Sequence, residues 1–172
     1  IYGKSKLAGE LAVCAAMKKN AIIIRTSWLY SEYSNNFVNT IIRKSQKIGE
    51  LNVVSDQYSS PTNANDLAEV IIQIINHNKF RNHDQLTQIY HYSGHGVCSW
   101  FEFAREILKL ANIDSQVNPI EAKCYLSAAR RPKYSFLNTD KIAKDFDLEI
   151  PFWKDSLKVS IDNLLEINKP VS

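Results

Sequence analysis

The segment Ala21-Ile22-Ile23-Ile24-Arg25-Thr26 narrows the possible folds more than any other part of this chain. An apolar, β-branched run without polar alternation suits a strand buried in a parallel sheet. Helical patterns flank it. Leu7, Leu11, Cys14 and Ala15 recur at helical spacing, so residues 2–19 read as one amphipathic helix, closed by Lys18 and Lys19 with Asn20 after them. On the far side, Asn35-Asn36-Phe37 opens a second helix running to about Lys47, with Phe37, Ile41 and Ile48 on its apolar side and Gly49 as its stop. Strand and helix in alternation are the pattern of βα units.

The remainder reads as shorter pieces. Residues 51–54 form a short strand, and residues 59–62 are extended because Ser60 precedes proline. Asn65 or Asp66 caps a helix over 67–76. Residues 77–87 are polar and read as a surface loop. Residues 89–92 form a strand, and Gly94-His95-Gly96 is a turn. Ser99 and Glu102 make a capping box for a helix through Ala111, with Phe103, Ile107 and Leu110 following at helical spacing. Residues 117–120 form a short strand, 121–134 are irregular, Thr139 caps a helix over 140–146, and 153–167 form the last helix. The expected fold is α/β: part of a parallel sheet, followed by a smaller α+β lobe.

Bulk properties exclude several function classes. A formal net charge of +3, with the basic residues scattered and Arg130-Arg131 as the tightest cluster, gives no surface for nucleic acid. No stretch approaches the length of a membrane span. Three cysteines without a CxxC pair point to a reducing, cytoplasmic setting. The chain starts at Ile1 with a catalytic-looking motif at residue 2, which reads as a piece of a longer protein.

That motif is Tyr2-Gly3-Lys4-Ser5-Lys6-Leu7-Ala8-Gly9-Glu10. A tyrosine and a lysine four apart share one helix face. An ammonium beside a phenol favours the phenolate, so such a pair can give a proton to a carbonyl oxygen as hydride reaches the carbon. Other constellations carry less. Gly94-x-Gly96 lacks the third glycine of a dinucleotide turn, since Ser99 stands there. His91, His95 and Cys98 straddle a strand and a turn without a fourth ligand at zinc spacing. Trp28 and Tyr30 follow the isoleucine strand, where they are either core aromatics or an aromatic wall beyond a strand's carboxyl end, the usual ligand position in open α/β sheets. Asn36 is a helix cap, an amide for a diphosphate at a helix start, or both. Arg131, in an irregular stretch, is either a solvated arginine or a guanidinium fork for phosphate.

The Tyr-Lys helix resembles the active-site helix of the extended short-chain dehydrogenase/reductases, in their sugar-nucleotide branch. Further segments add to it in order and spacing: Arg25-Thr26-Ser27-Trp28-Leu29-Tyr30, Asn35-Asn36-Phe37-Val38, Val53-Val54-Ser55-Asp56-Gln57, Ser60-Pro61-Thr62 with Asp66-Leu67-Ala68, Tyr90-His91-Tyr92-Ser93-Gly94 with Cys98-Ser99-Trp100, and Arg130-Arg131-Pro132-x-x-Ser135. Together they are similar to the dTDP-4-dehydrorhamnose reductase family, from its active-site helix to its C-terminus, over essentially the whole chain. Ser59-Ser60-Pro61 stands where that family's pattern has Gly-Ser-Pro.

The resemblance implies the C-terminal part of an NAD(P)-binding Rossmann-like sheet plus a smaller α+β substrate-binding lobe. Residues 1–62 would be the remainder of the Rossmann-like domain, interleaved with lobe segments, and residues 63–172 mainly the lobe and the C-terminal helices. The implied reaction is reduction of the C4 ketone of dTDP-4-dehydro-L-rhamnose by NADPH or NADH. Tyr2 would be the acid, and Lys6 would hold the nicotinamide ribose and tune Tyr2. Thr26 and Ser27 would line the nicotinamide. Trp28, Asn36, Gln57, Pro61, Thr62 and Arg131 would bind the sugar nucleotide. Some members of the family form homodimers through a divalent metal held by carboxylates, whose ligands have no mappable counterpart here. The family's Gly-rich phosphate turn and its Ser or Thr lie upstream of the Tyr, so the 172 residues alone are expected to bind dinucleotide weakly and not to turn over. Two alternatives stay open: an epimerase or dehydratase of the same branch, and a non-catalytic relative serving as a regulatory subunit.

Overall fold

The structure, a computed structural model, describes residues 2–81, 86–125 and 131–167. The chain begins with helix α1 (Tyr2–Ala16), then strands β1 (Ile22–Arg25) and β2 (Leu29–Tyr30), helix α2 (Phe37–Ile48), and strands β3 (Glu50–Val54), β4 (Tyr58–Ser59) and β5 (Thr62–Asn63). Helices α3 (Ala64–Asn76) and α4 (Asn78–Arg81) follow, then β6 (Gln88–His91), β7 (Cys98–Ser99), α5 (Trp100–Leu110) and β8 (Gln116–Ile120). A 3₁₀ turn (Ala122–Cys124) and helices α6 (Asp140–Phe146) and α7 (Trp153–Ile167) complete it.

Parallel pairing dominates, as the isoleucine strand suggested. β1 pairs with β6, β2 with β5 and β3 with β8, all parallel, while β4 and β7 are antiparallel. Each parallel pair needs a crossover, and the intervening helices supply it. The pairs β1–β6 and β3–β8 therefore join early and late parts of the sequence, with Ile24 beside Tyr90 and Leu51 beside Val117.

Two apolar clusters form. One lies among β3, α2, α5 and α7, with Val38, Ile41, Leu51, Val53, Phe103, Ile107, Trp153, Leu157 and Ile161 buried. The other gathers Val70, Ile74, Tyr90, Tyr92, Ile142 and Phe146 between α3, β6 and α6, with Ile22 and Ile24 of β1 packed against it. Gly94 sits where chains approach closely: a Cβ there would fall 2.5 Å from the Pro61 carbonyl oxygen, which instead accepts the Gly94 N–H at 3.2 Å.

Several sequence expectations need correction. α1 stops at Ala16, not residue 19, and Asn20 takes the left-handed conformation with φ 64°. Its apolar residues are not covered: no residue of α1 is buried, and Leu7 and Leu11 are exposed. β1 is only partly buried, and its one strand neighbour among the described residues is β6. Ile48 faces solvent, because α2 turns Val38, Ile41 and Ser45 inward instead. α3 is capped by Asn63, whose Oδ1 accepts the Asn65 N–H at 2.8 Å, so the helix starts earlier than the 67–76 pattern implied. Part of 77–87 is helical, as α4. The strand expected over 89–92 is Gln88–His91. At α6, Thr139 makes no side-chain cap; Asn138 Oδ1 accepts the Asp140 N–H at 2.9 Å instead.

Candidate functional site

Two groups of side chains, on α1 and beyond the carboxyl end of β1, make up the candidate site. On α1, Tyr2 and Lys6 share one face as the four-residue spacing requires, with the Lys6 Nζ 5.7 Å from the centre of the Tyr2 ring. Tyr2 is 75% exposed in this chain. The Ser5 hydroxyl donates to the Tyr2 carbonyl at 2.8 Å and occupies a backbone acceptor in the first turn.

Arg25, the last residue of β1, reaches across to the same helix. Its Nε and Nη2 donate to the two carboxylate oxygens of Glu10 at 2.7 and 2.6 Å. This fork holds the Glu10 carboxyl below the usual carboxylate range and raises the Arg25 guanidinium, chiefly through the hydrogen bonds themselves.

Beyond β1 the chain enters a seam of hydroxyl groups. Thr26 Oγ1 donates to Thr62 Oγ1 at 3.3 Å, and Thr62 Oγ1 donates to the Ser27 carbonyl at 2.7 Å. Ser27 Oγ donates to the Ser60 carbonyl at 3.0 Å and accepts from Ser59 Oγ at 3.3 Å. The single Ser59 O–H is shared between Ser27 Oγ and the nearer Ser135 carbonyl at 3.0 Å, and Ser60 Oγ donates to the Gly96 carbonyl. Ser59, Ser60 and Thr62 are fully buried, so each hydroxyl must find a partner inside, and the seam locks the segment 26–28 against β4 and β5.

Trp28 has φ 45°, a left-handed conformation that costs a bulky residue on the order of 1–3 kcal/mol. Two contacts hold it there. Its carbonyl accepts the Thr62 N–H at 3.2 Å, and its ring stacks on Trp100 with centroids 3.5 Å apart and planes 12° off parallel. Trp100 meets Phe37 at 4.4 Å, which brings the start of α2 to the same aromatic stack. Trp28 is thus both a half-buried core neighbour and the edge of the β1 terminus, while Tyr30 is wholly core at 2% exposed.

The remaining sequence candidates fall at different depths. Asn36 is the cap of α2: its Oδ1 accepts the Asn39 N–H at 3.2 Å, and its amide donates to the carbonyls of Ser31 and Tyr33. Pro61 and Thr62 are fully buried and act from within the seam. Gln57 is half-buried just before β4, and Arg131 is exposed. Their neighbours are joined, since the Tyr58 N–H donates to the Lys133 carbonyl at 2.7 Å and the Tyr58 and Tyr134 rings stack at 5.3 Å. The structure therefore brings together Thr26, Ser27, Trp28, Pro61 and Thr62, sets Asn36 beside them through Phe37, and approximates the Gln57 and Arg131 segments. No direct contact ties Tyr2 or Lys6 to that group among the described residues; the Glu10–Arg25 fork is the link.

Glu10, Arg25, Ser59 and Trp100 were not singled out by sequence reasoning, although all lie within or beside the segments that carried the resemblance. The available signal was opposite charge on the helix and at the strand end, and an aromatic just after a helix cap. Two concave surfaces among the described residues, one lined by Ala21, Lys79, Gln88 and Phe146 and another by Arg105, Lys109 and Val117, contain none of the candidates. Among the described residues no group of three His, Cys, Asp or Glu side chains converges as a metal site would, and no helix is long and apolar enough to cross a membrane. Cys98 is buried beside Glu102, and both burial and that carboxylate push its thiol up, away from a metal-binding thiolate.

Residues 1–166 match the RmlD substrate binding domain. The chain is 38% identical over 162 residues to a dTDP-4-dehydrorhamnose reductase of Sinorhizobium fredii, covering 92% of this chain and 54% of that protein. It is 34% identical over 170 residues to the Escherichia coli K12 dTDP-4-dehydrorhamnose reductase, covering 95% of this chain and 56% of the relative. The crystal structure of the Bacillus anthracis dTDP-4-dehydrorhamnose reductase in complex with NADP superposes with a TM-score of 0.84 at 38% identity, over 94% of this chain and 54% of that one. This chain thus spans about half the length of the curated relatives it matches.

Proposed function

The chain belongs to the RmlD substrate-binding domain family, and from that premise we propose that it is the catalytic-helix and substrate-lobe part of an NADPH-dependent sugar-nucleotide ketoreductase. The substrate on this reading is dTDP-4-dehydro-L-rhamnose, and the product is dTDP-L-rhamnose. The observation that carries the proposal is the Tyr2–Lys6 pair, exposed on one helix face, within a chain similar over nine-tenths of its length to reductases of that name. A relative solved with NADP favours NADPH over NADH. The residues present fit such a cofactor: the Tyr2 hydroxyl and the Lys6 ammonium lie open together, suited to a ribose diol and a carbonyl oxygen.

When bound, NADPH supplies the hydride that makes the ketone carbon tetrahedral. Tyr2 gives its proton to the C4 oxygen as negative charge develops there. Lys6, on the same helix face, would donate to the ribose hydroxyls. Thr26 and Ser27, fixed by the hydroxyl seam, line the nicotinamide side. Trp28 gives the sugar ring a flat wall whose orientation Trp100 sets. Gln57, Pro61 and Thr62 shape the nucleotide side. The start of α2, which the fully bonded Asn36 side chain caps, and the Arg131 guanidinium take the diphosphate side on this reading. A homodimer and a cytoplasmic setting belong to the same reading, the latter in keeping with three free cysteines.

In the complete reductase carrying this segment, Tyr2→Phe removes the proton donor without changing shape. Turnover should fall by roughly 10²- to 10⁴-fold while NADPH affinity, followed by fluorescence titration, is kept. Unchanged turnover would take the acid role from Tyr2.

A further inference from the structure

We propose that Ser59 is a positioning residue for the sugar nucleotide: its buried hydroxyl fastens the segment that carries Arg131 to the seam that holds Thr26 and Ser27. The inference rests on the function proposed above and concerns how the diphosphate side of the site is set against the nicotinamide side.

Ser59 has no exposed surface in this chain, and residues outside it can add to that burial but not undo it. Its backbone is fixed in β4, opposite Cys98 of β7. Its single O–H lies between two acceptors, the Ser135 carbonyl at 3.0 Å and Ser27 Oγ at 3.3 Å. The Ser27 proton is already committed to the Ser60 carbonyl at 3.0 Å, so Ser59 is the donor in that pair. Among the described residues, Tyr58 is the other holder of the 133–135 segment. Its N–H donates to the Lys133 carbonyl at 2.7 Å, and its carbonyl accepts the Ser135 N–H at 3.0 Å. That is one isolated rung of parallel pairing, between Tyr58 and Tyr134, and the Ser59 hydroxyl supplies the side-chain bond that keeps it from slipping.

Arg131 lies two residues before Lys133, with Pro132 between them. The proline ring fixes φ at 132 and confines Arg131 to extended backbone. The link is therefore stiff, and a shift of the 133–135 segment is passed to Arg131 rather than absorbed. The two ends of the Ser59 bond are unequally secured. Without it, Ser27 still donates to the Ser60 carbonyl, and its own carbonyl still accepts from Thr62 Oγ1. Loss of the Ser59 hydroxyl thus leaves the nicotinamide side in place and loosens the diphosphate side. Contacts to the diphosphate are made alike before and during hydride transfer, so the loss falls on KM for the sugar nucleotide and not on kcat.

The test uses the complete reductase carrying this segment, with S59A, S59C, R131Q and the double variant S59A/R131Q. S59C keeps the size of the side chain and leaves only a weak thiol donor. We expect S59A and S59C each to raise KM for the sugar nucleotide roughly three- to thirtyfold, with kcat held within about twofold and NADPH affinity, followed by fluorescence titration, unchanged. R131Q alone should raise KM too, and S59A added to it should raise KM little further, because a residue that acts through Arg131 then has nothing left to place. An unaltered KM in either Ser59 variant overturns the inference, as does an unaltered KM in R131Q. So do S59A and R131Q effects that simply multiply in the double variant, or a loss of kcat or NADPH affinity in S59A as large as the rise in KM. Tyr2→Phe in the same assay separates the two readings: full turnover there defeats the proposed reduction, whereas a dead Tyr2→Phe beside an unaltered KM in S59A defeats only the positioning role.

Discussion

Helices α1 and α5 differ in almost everything that holds a helix in place. α5 buries Phe103, Ala104, Ile107 and Leu108 and starts on a reciprocal cap, with Ser99 Oγ accepting the Glu102 N–H at 3.1 Å and Glu102 Oε2 accepting the Ser99 N–H at 2.7 Å. α1 is longer, has no buried residue, and meets the body through Glu10 and Cys14. Helices in water draw most of their stability from packing of an apolar face. α5 is therefore part of the scaffold. In this chain, which spans about half the length of its relatives, α1 leaves Tyr2 and Lys6 exposed and is joined to β1 by the Glu10–Arg25 ion pair. On the proposed function, stability and chemistry sit on different helices, so they should respond to different substitutions.

The contrast breaks or sharpens on four measurements. The largest effect belongs to α5: Phe103→Ala opens a cavity among Trp28, Tyr30, Phe37 and Trp153 and should cost about 3–5 kcal/mol in urea unfolding of this chain. Next, Ser99→Ala removes one half of the capping box and should cost about 1 kcal/mol by the same measurement.

A smaller effect tests the second cluster through pH. The Lys79 ammonium, bonded at 2.5 Å, holds the Asp145 carboxyl below its ordinary range, helped by the Tyr90 hydroxyl at 2.8 Å. A depressed carboxyl stabilises the fold above its unfolded value and loses that contribution as pH falls through the folded one. Lys79→Met should therefore cost on the order of 1 kcal/mol or less at neutral pH, with the difference from the unsubstituted chain closing as both are titrated into acid. A difference that grows toward low pH would reverse the sign argued here. The smallest effect belongs to α1: Leu11→Ala, at an exposed position, should change stability by no more than about 0.5 kcal/mol. A Leu11 cost rivalling that of Phe103 would mean that α1 is packed after all.

Much of the fold was legible because the signals were local. Ser99 with Glu102, Gly49 after α2 and the run Trp153–Ile167 all act within a few residues of themselves, and the structure places them as read. The start of α3 shows where local reading runs out. Asn63, Asn65 and Asp66 are all able to cap. Asn63 does so because tertiary partners claim the others: the Asn65 amide donates to buried Glu32 at 2.9 Å, and Asp66 accepts the Ser156 hydroxyl at 2.5 Å. Likewise Ile48 continues an apolar pattern, yet the other elements cover Val38 and Ile41 and leave it in water.

The candidate site divides the same way. Spacing alone put Tyr2 and Lys6 on one face, since a helix repeats every 3.6 residues whatever surrounds it. The strand-end position of Thr26, Ser27 and Trp28 also followed from the isoleucine run before them. By itself, then, the sequence determined helices α2, α5 and α7, the capping box of α5 and the shared helix face of phenol and ammonium, all of which depend on neighbours along the chain. Only the tertiary structure decided that β1 lies beside β6, that Ser59 and Thr62 close a hydroxyl seam on Ser27, that Trp100 flattens Trp28, and that Arg25 grips Glu10. Those contacts join residues far apart in sequence, and each forms only once many loops have closed and water has been expelled together, which no local pattern encodes.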